Sequence, residues 1–198
     1  MRASLPNSPP ARATTPPARQ STSVYANPFT VIVDTRESAP FGFSGLHTDS
    51  RHQYRPIVVP IRRVCLHTGD YSIVGFEKQV VVERKSLQDL FGSLAGKNGE
   101  RRERFQREHE RMQEIVMWGG FAHVVIEASR DDVRNNPPEY GARPQAVLST
   151  SVKWPRRYGV AWHWAGSRAE AERLTFELLS DAWRVLTQIK RKNKKKKK

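Results

Sequence analysis

The sequence predicts a small α/β domain: a central mixed β-sheet flanked by helices. Short Val- and Ile-rich runs alternate with longer stretches of helical periodicity, and two of the runs are joined by a four-residue turn that makes them antiparallel neighbours. The length of 198 residues suits one domain with tails.

Residues 1–28 are rich in Pro, Ala, Ser and Thr and are expected to be a disordered arm. The expected folded domain spans residues 29–189. Val31, Ile32 and Val33 form an apolar strand that exits into Asp34, Arg36 and Glu37. Residues 57–66 read as one strand, with Cys65 in the core. Asp70 to Val74 is a strand, Gly75 to Lys78 a turn, and Gln79 to Lys85 a second strand. Ser86 opens a short helix that runs to about Ala95, and Gly96 to Gly99 is a flexible connection. Glu100 to Trp118 is a long helix whose five arginines and five glutamates read mostly as solvated i,i+4 pairs. Phe121 to Glu127 is a buried strand, residues 131–143 a loop, residues 145–156 a helix, and residues 160–164 the last strand. Trp154, Arg156, Arg157 and Tyr158 read as a helix end packed on the sheet, with nucleic-acid contact the rival. Ser167-x-x-Glu170 is a capping box opening the final helix. On that helix Ala171, Leu174, Leu178, Ala182, Val185 and Ile189 form an apolar stripe, expected to pack on the core, with a dimer seam as the rival use. Residues 190–198 form a Lys-rich tail.

The residues that carry chemistry lie around the hairpin. Side chains alternate along a strand, so Glu83 and Lys85 share one face and Arg84 points to the other. The hairpin can bring Asp70 opposite Glu83. Two converging carboxylates repel each other unless a cation lies between them. Hard divalent ions take oxygen ligands and keep several waters. Lys85 would then stand beside the metal, where it can orient an attacking water or neutralise charge on a phosphate. Taken alone, an Asp followed at a distance by Glu-x-Lys is more often a solvated strand end or an ion pair than a site. The carboxylates of Asp34 and Glu37, at the end of another apolar strand, are the further ligands that Asp70 and Glu83 would need.

Charge agrees with a polyanionic partner. The net charge is +14, and eleven of those charges sit in the two tails, three in residues 1–28 and eight in residues 190–198. Lys190, Arg191 and Lys192 begin a run suited to tethering a nucleic acid through its phosphates, with a solubilising tail or a nuclear-localisation address as the alternatives. No apolar run approaches the ~20 residues of a membrane span, and no secretory signal is evident. The single cysteine excludes an intrachain disulfide and fits a reducing compartment. The histidines have no paired metal spacing, so no zinc site is expected.

Val33-Asp34-Thr35-Arg36-Glu37, Gly69-Asp70-Tyr71 and Val82-Glu83-Arg84-Lys85-Ser86-x-x-Asp89 together resemble the nuclease domain of XPF, Mus and Hef-type structure-specific endonucleases. The family signature is GD, a gap, then ERK, three residues and D; every fixed position is matched here. The resemblance implies a restriction-endonuclease-like fold and Mg2+- or Mn2+-dependent cleavage of branched, flapped or forked DNA in repair or recombination. It implies Asp34, Glu37, Asp70 and Glu83 as metal ligands, Asp70, Glu83 and Lys85 as catalytic residues, and Arg84 as a charged partner at the site. Asp89 takes either a catalytic or a helix-capping role. Arg36 and Arg102 or Arg104 are expected on the DNA. The implied location is intracellular: cytoplasm or nucleoid in a prokaryote or virus, nucleus in a eukaryote. A homodimer or heterodimer through the nuclease domain is the implied association. The chain is expected to stand alone, without the helicase and helix-hairpin-helix parts of its relatives. The rival from another class is a catalytically silent DNA-binding scaffold of the same fold.

Overall fold

A computed structural model describes residues 23–48, 54–95 and 99–196. The expected connection at residues 96–98, most of the expected arm and the last two lysines lie outside the described residues.

A six-stranded mixed sheet is the frame. Its strands are β2 (Val31–Asp34), β4 (Ile61–Val64), β5 (Tyr71–Ile73), β6 (Val80–Lys85), β7 (Phe121–Ile126) and β8 (Ala161–Trp164), in the spatial order β4-β2-β5-β6-β7-β8. β5 runs antiparallel to both β2 and β6, and the other pairs are parallel. β1 (Tyr25–Ala26) pairs with β3 (Ile57–Val58) in a separate parallel ribbon, so two residues of the segment expected to be a disordered arm form a strand.

Alternation along each strand sorts the side chains into two cores. On one face Val31, Val33, Tyr71, Ile73, Val80, Val82 and Val125 pack against α5 (Arg168–Lys196). On the other, Val81, Val124 and Ile126 pack against α1 (Leu87–Ser93), α2 (Glu100–Met117) and α4 (Pro144–Tyr158). Lateral helices on both sides explain why the central strands read as continuous apolar runs.

Several expectations change. The run from residue 57 to 66 is two strands, β3 and β4, with different partners and Pro60 between them. Cys65 is exposed rather than in the core, because β4 is an edge strand whose own residues are largely exposed. Residues 131–143 are not all loop: α3 (Arg130–Asn135) takes in the first five of them, capped reciprocally by Ser129 and Asp132. The buried ridge of α5 is Ala171, Thr175, Leu179, Ala182 and Leu186, so the expected stripe keeps only Ala171 and Ala182 at full burial, while Val185 and Ile189 are exposed. α5 also continues through Lys196, so most of the expected tail is helical backbone.

Trp154 and Tyr158 are buried in an aromatic cluster with Phe105, His109 and Trp162, which makes them packing residues. Trp162 Nε1 donates to His109 Nε2 at 3.0 Å, and His109 Nδ1 lies 2.8 Å from the Phe105 carbonyl. An indole nitrogen only donates, so the His109 ring is neutral with its proton on Nδ1.

A pair of histidines on the sheet makes the fold sensitive to acid. His123 Nδ1 and His163 Nε2 are 3.1 Å apart across β7 and β8. Burial, then the neighbouring His163, push the His123 pKa down to about 4. The unfolded chain therefore binds a proton on His123 below about pH 6.5 that the folded chain refuses until about pH 4. This contribution to stability is complete above pH 6.5 and is lost as the pH falls toward 4. Urea midpoints measured from pH 7.5 to 4.5 are expected to decline, and His123→Leu should flatten the slope whatever it does to the absolute midpoint. An unchanged slope would contradict the assignment.

Candidate active site

The strand registers build the acid cluster. Val33 pairs with Tyr71 and Tyr71 with Val82. One step further along the same antiparallel registers, Asp34, Asp70 and Glu83 form a row across three adjacent strands. Asp34 N donates to the Asp70 carbonyl at 2.8 Å, and Asp70 N to the Val82 carbonyl at 2.9 Å. Directly opposed residues project from the same face, so the three carboxylates share the α2 side of the sheet. Lys85 joins them two residues beyond Glu83. Gly69 makes the approach of β5 fit: its φ is +71°, and a Cβ there would meet Val81 Cγ2 at 2.0 Å.

This row lies in a polar cleft of about 410 Å3, whose rim carries Arg36, Arg104 and Arg111. A larger, more apolar hollow of about 530 Å3 lies beside α5, lined by Phe176 and Leu46, away from the acid row.

Asp70 Oδ2 accepts from Arg84 N at 2.8 Å. Burial, then the charge of Glu83, push its pKa well above the ordinary value. Glu83 is buried, and its Oε1 accepts from Lys85 Nζ at 2.8 Å. Burial opposes the charge on Lys85, but Glu83 and Glu108 outweigh it and hold the ammonium charged. The same Nζ lies 4.5 Å from the centroid of the Phe105 ring.

Glu108, on α2, completes the cluster. Its Oε1 accepts from Gly69 N at 3.3 Å, and burial, then Glu83, push its pKa up to about 8. A reading of α2 as a row of solvated ion pairs misses this residue. Its signal was the helical spacing: Phe105, His109 and Met112 are buried, and Glu108 sits beside them on the face turned to the sheet.

The other expected site residues are placed differently. Asp34 is buried in the row, but both its oxygens are occupied: Arg36 Nε and Nη2 donate at 2.8 and 3.0 Å, and Leu66 N also donates. Burial favours protonation of Asp34, yet these donors outweigh it and lower the pKa. Arg36 is thus an exposed rim residue tied to Asp34. Glu37 accepts from Arg84 Nε at 3.2 Å and from Ala39 N at 2.6 Å. Arg84 projects from the opposite face to Glu83, as alternation requires, and also bridges to Glu127 at 3.0 Å. Asp89 is exposed at the cleft mouth and bonded to Ser86: Ser86 Oγ donates to its Oδ2 at 2.7 Å, and its backbone N donates back at 3.1 Å. That is a helix cap. Arg104 lines the cleft. Arg102 is not brought there; it lies over the Trp154 ring and reaches the Leu94 carbonyl. Lys190, Arg191 and Lys192 lie on α5, behind the sheet; Lys190 Nζ is 3.7 Å from the ring centroid of Phe76, at the turn end of the hairpin, opposite the acid row.

The ERCC4 domain family matches residues 33–178, an interval that begins at the Asp34 strand and ends within α5. The chain belongs to the ERCC4 domain family. A solved structure described as XPF from Aeropyrum pernix shares this fold, with a TM-score of 0.52 and 18% sequence identity over 76% of this chain. The chain spans 59% of that protein's length. A second structure of XPF from Aeropyrum pernix, in complex with DNA, gives a TM-score of 0.48 and 19% identity, covering 81% of this chain and 66% of that one. No curated protein matches the sequence. The fold is therefore the restriction-endonuclease-like α/β arrangement of XPF-type nuclease domains: a mixed sheet with helices on both faces. Among the described residues, no helix is long and apolar enough to cross a membrane.

A divalent metal is the group such a donor set would take. Six carboxylates line the cleft, Asp34, Glu37, Asp70, Glu83, Asp89 and Glu108, against one imidazole, His67, so its donors are mostly the hard oxygens suited to Mg2+ or Mn2+. Burial first, and then the charge of Glu83, raise the pKa values of both Asp70 and Glu108, and both costs fall when a cation stands among the carboxylates. The residues fit a hard cation in kind. As they stand, no three His, Cys, Asp or Glu side chains among the described residues enclose an ion.

Proposed function

We propose that this ERCC4 domain is a metal-dependent endodeoxyribonuclease acting on branched, flapped or forked DNA. The observation that carries the reading is the row of Asp70 and Glu83 with Lys85 beside them and Glu108 above, at the floor of an arginine-rimmed cleft. Asp70 and Glu83, with Glu108, would hold Mg2+ or Mn2+, and Asp34 and Glu37 are further donors once released from Arg36 and Arg84. A divalent ion bound there would lower the pKa of a coordinated water and stabilise charge on the phosphoryl oxygens. The protein's own groups do the rest. Lys85, held charged by its acidic neighbours, neutralises charge on the scissile phosphate. Arg36, Arg104 and Arg111 on the rim attract and orient the phosphate backbone. Phe105 and His109 close the floor beneath Lys85 and shield it from water.

The test is cleavage of labelled flap, fork, four-way junction and linear duplex in Mg2+ or EDTA, by the natural chain and by Asp70→Ala and Glu83→Ala. Metal-dependent cutting lost in both variants is expected. The ion pairs that occupy Asp34 and Glu37 favour one rival, the silent DNA-binding scaffold; binding without cutting would establish it. Equal cutting of linear duplex would remove the branched-DNA preference. Association of two copies or with a related chain through this domain is part of the same proposal and is read by sedimentation.

The basic end of α5 stands behind the sheet, so its contribution is expected in affinity and not in chemistry. Deleting residues 191–198 should weaken DNA binding and flatten the dependence of log K on log salt, because fewer counterions are released. Turnover at saturating substrate should stay the same; a lower turnover would place these residues in the reaction.

A further inference from the structure

The loop between α3 and α4 is held at both feet and bare at its tip. At the first foot Asn136 caps α3, its N donating to the Asp132 carbonyl at 2.9 Å. At the second, Ala142 N donates to the Phe91 carbonyl at 3.0 Å. Gly141 approaches α1 so closely that a Cβ there would stand 2.9 Å from Phe91 Cβ, and its φ is +126°. Pro144 then opens α4. Phe91 and Val133 are fully buried, so both feet belong to the core.

Between the feet runs Pro137-Pro138-Glu139-Tyr140. Pro137, Glu139 and Tyr140 are exposed, and Pro138 is half-buried. Tyr140 is 80% exposed, and its ring and hydroxyl have no partner among the described residues, so the fold gains nothing from it. A proline ring fixes φ at about −65°, and the residue before a proline is turned away from the helical region. Pro137, which precedes Pro138, is therefore held extended in polyproline II geometry. The backbone N–H groups of Glu139, Tyr140 and Gly141 donate to no other described backbone group. Charge argues against nucleic acid as the occupant: residues 135–142 contain no Lys or Arg, and Glu139 would repel a phosphate.

We propose that Pro137-Pro138-Glu139-Tyr140 is a docking segment for a second protein, a domain whose groove is walled by aromatic rings. Proline rings seat against such rings, and a chain already extended loses little freedom on binding. Tyr140 supplies the anchor: a flat apolar ring that fills a pocket, with a hydroxyl that donates or accepts at its end. The fixed feet hold the segment ready and lower the cost of ordering it. The inference goes beyond DNA hydrolysis and does not depend on it; a chain that never cuts DNA would still carry the segment.

Grooves of this kind occur in SH3 and WW modules. The loop holds no Pro-x-x-Pro, whereas Pro6-x-x-Pro9 lies near the start of the chain, so the probe is a WW module selected on Pro-Pro-x-Tyr peptides. It is labelled and titrated by fluorescence anisotropy with the full chain, Tyr140→Ala and Pro137→Ala. The natural chain is expected to bind, and Tyr140→Ala to bind about 30-fold more weakly, the loss of one aromatic anchor. Pro137→Ala should weaken binding as well. No binding by the natural chain would overturn the proposal. So would equal binding by Tyr140→Ala, which would move the contact to Pro6-x-x-Pro9. Duplex DNA titrated with the same proteins should bind equally well; a loss in Tyr140→Ala would put the ring on nucleic acid and overturn the proposal too. Matched thermal melts show that these exposed substitutions leave the fold intact.

Discussion

Asp70→Asn is expected to lower Mg2+-dependent cleavage on the order of 100-fold or more, and at the same time to leave the protein no less stable in EDTA. Both effects come from one position. Asp70 sits on the cleft floor between Glu83 and the Arg84 backbone, and its pKa is raised by burial and by Glu83. Without a cation its charge is a burden on the fold, and removing it relieves that repulsion. With a cation the same charge is a ligand. The melting temperature of the natural chain should therefore rise as Mg2+ is added, since a ligand that binds only the folded state stabilises it. The Asp70→Asn protein should lose that rise. A variant that keeps both the cleavage and the Mg2+-induced shift would remove Asp70 from the metal site.

Arg84→Ala should act through the fold. The guanidinium is joined to Glu37 at 3.2 Å and Glu127 at 3.0 Å, with all three side chains nearly enclosed. Burial alone would favour loss of its proton, but the two glutamates outweigh burial and hold it more firmly charged than usual. Truncation leaves Glu37 buried beside Asp70 without its cation, and breaking a buried pair from one side costs about 3–5 kcal/mol. For a chain of this length that is a fall in melting temperature on the order of 10 °C. Arg84→Ala combined with Glu37→Gln should recover part of the loss, because the orphaned charge is gone. If Arg84 instead touched the substrate, Arg84→Ala would lose activity with its melting temperature unchanged. Calorimetry alongside the cleavage assay separates the two roles, and the ion-pair geometry favours the first.

The acids were legible one at a time. Alternation along residues 80–85 puts Glu83 with Lys85 and sends Arg84 to the other face, and the structure keeps that arrangement. The turn after β5 makes a hairpin with Asp70 near Glu83, and the register does pair Tyr71 with Val82. Ser86-x-x-Asp89 carries its own explanation as a cap, and the bonds agree. Glu108 was hidden because a helix rich in alternating charge looks solvated wherever it lies. Arg102 and Arg104 differ by only two positions, yet that turns one toward Trp154 and the other toward the cleft. On α5 the expected stripe holds in part: Ala171 and Ala182 are buried and Leu174 and Leu178 pack at the edge of the core, while Val185 and Ile189 are exposed, because Thr175, Leu179 and Leu186 fit the helical spacing as well and the sheet decides between them.

By itself, the sequence determined what its nearest neighbours along the chain control: the strands, the hairpin, the helix caps and the side of each strand on which a residue emerges. These follow from backbone sterics and hydrogen bonding over a few residues. Tertiary structure alone decided the rest. It aligned Asp34, Asp70 and Glu83 in one row, lowered Glu108 onto them, and committed Asp34 to Arg36 and Glu37 to Arg84. Strand register and helix docking depend on how apolar surfaces far apart in the chain pack together, and the charge state of a carboxylate depends on what that packing brings near it.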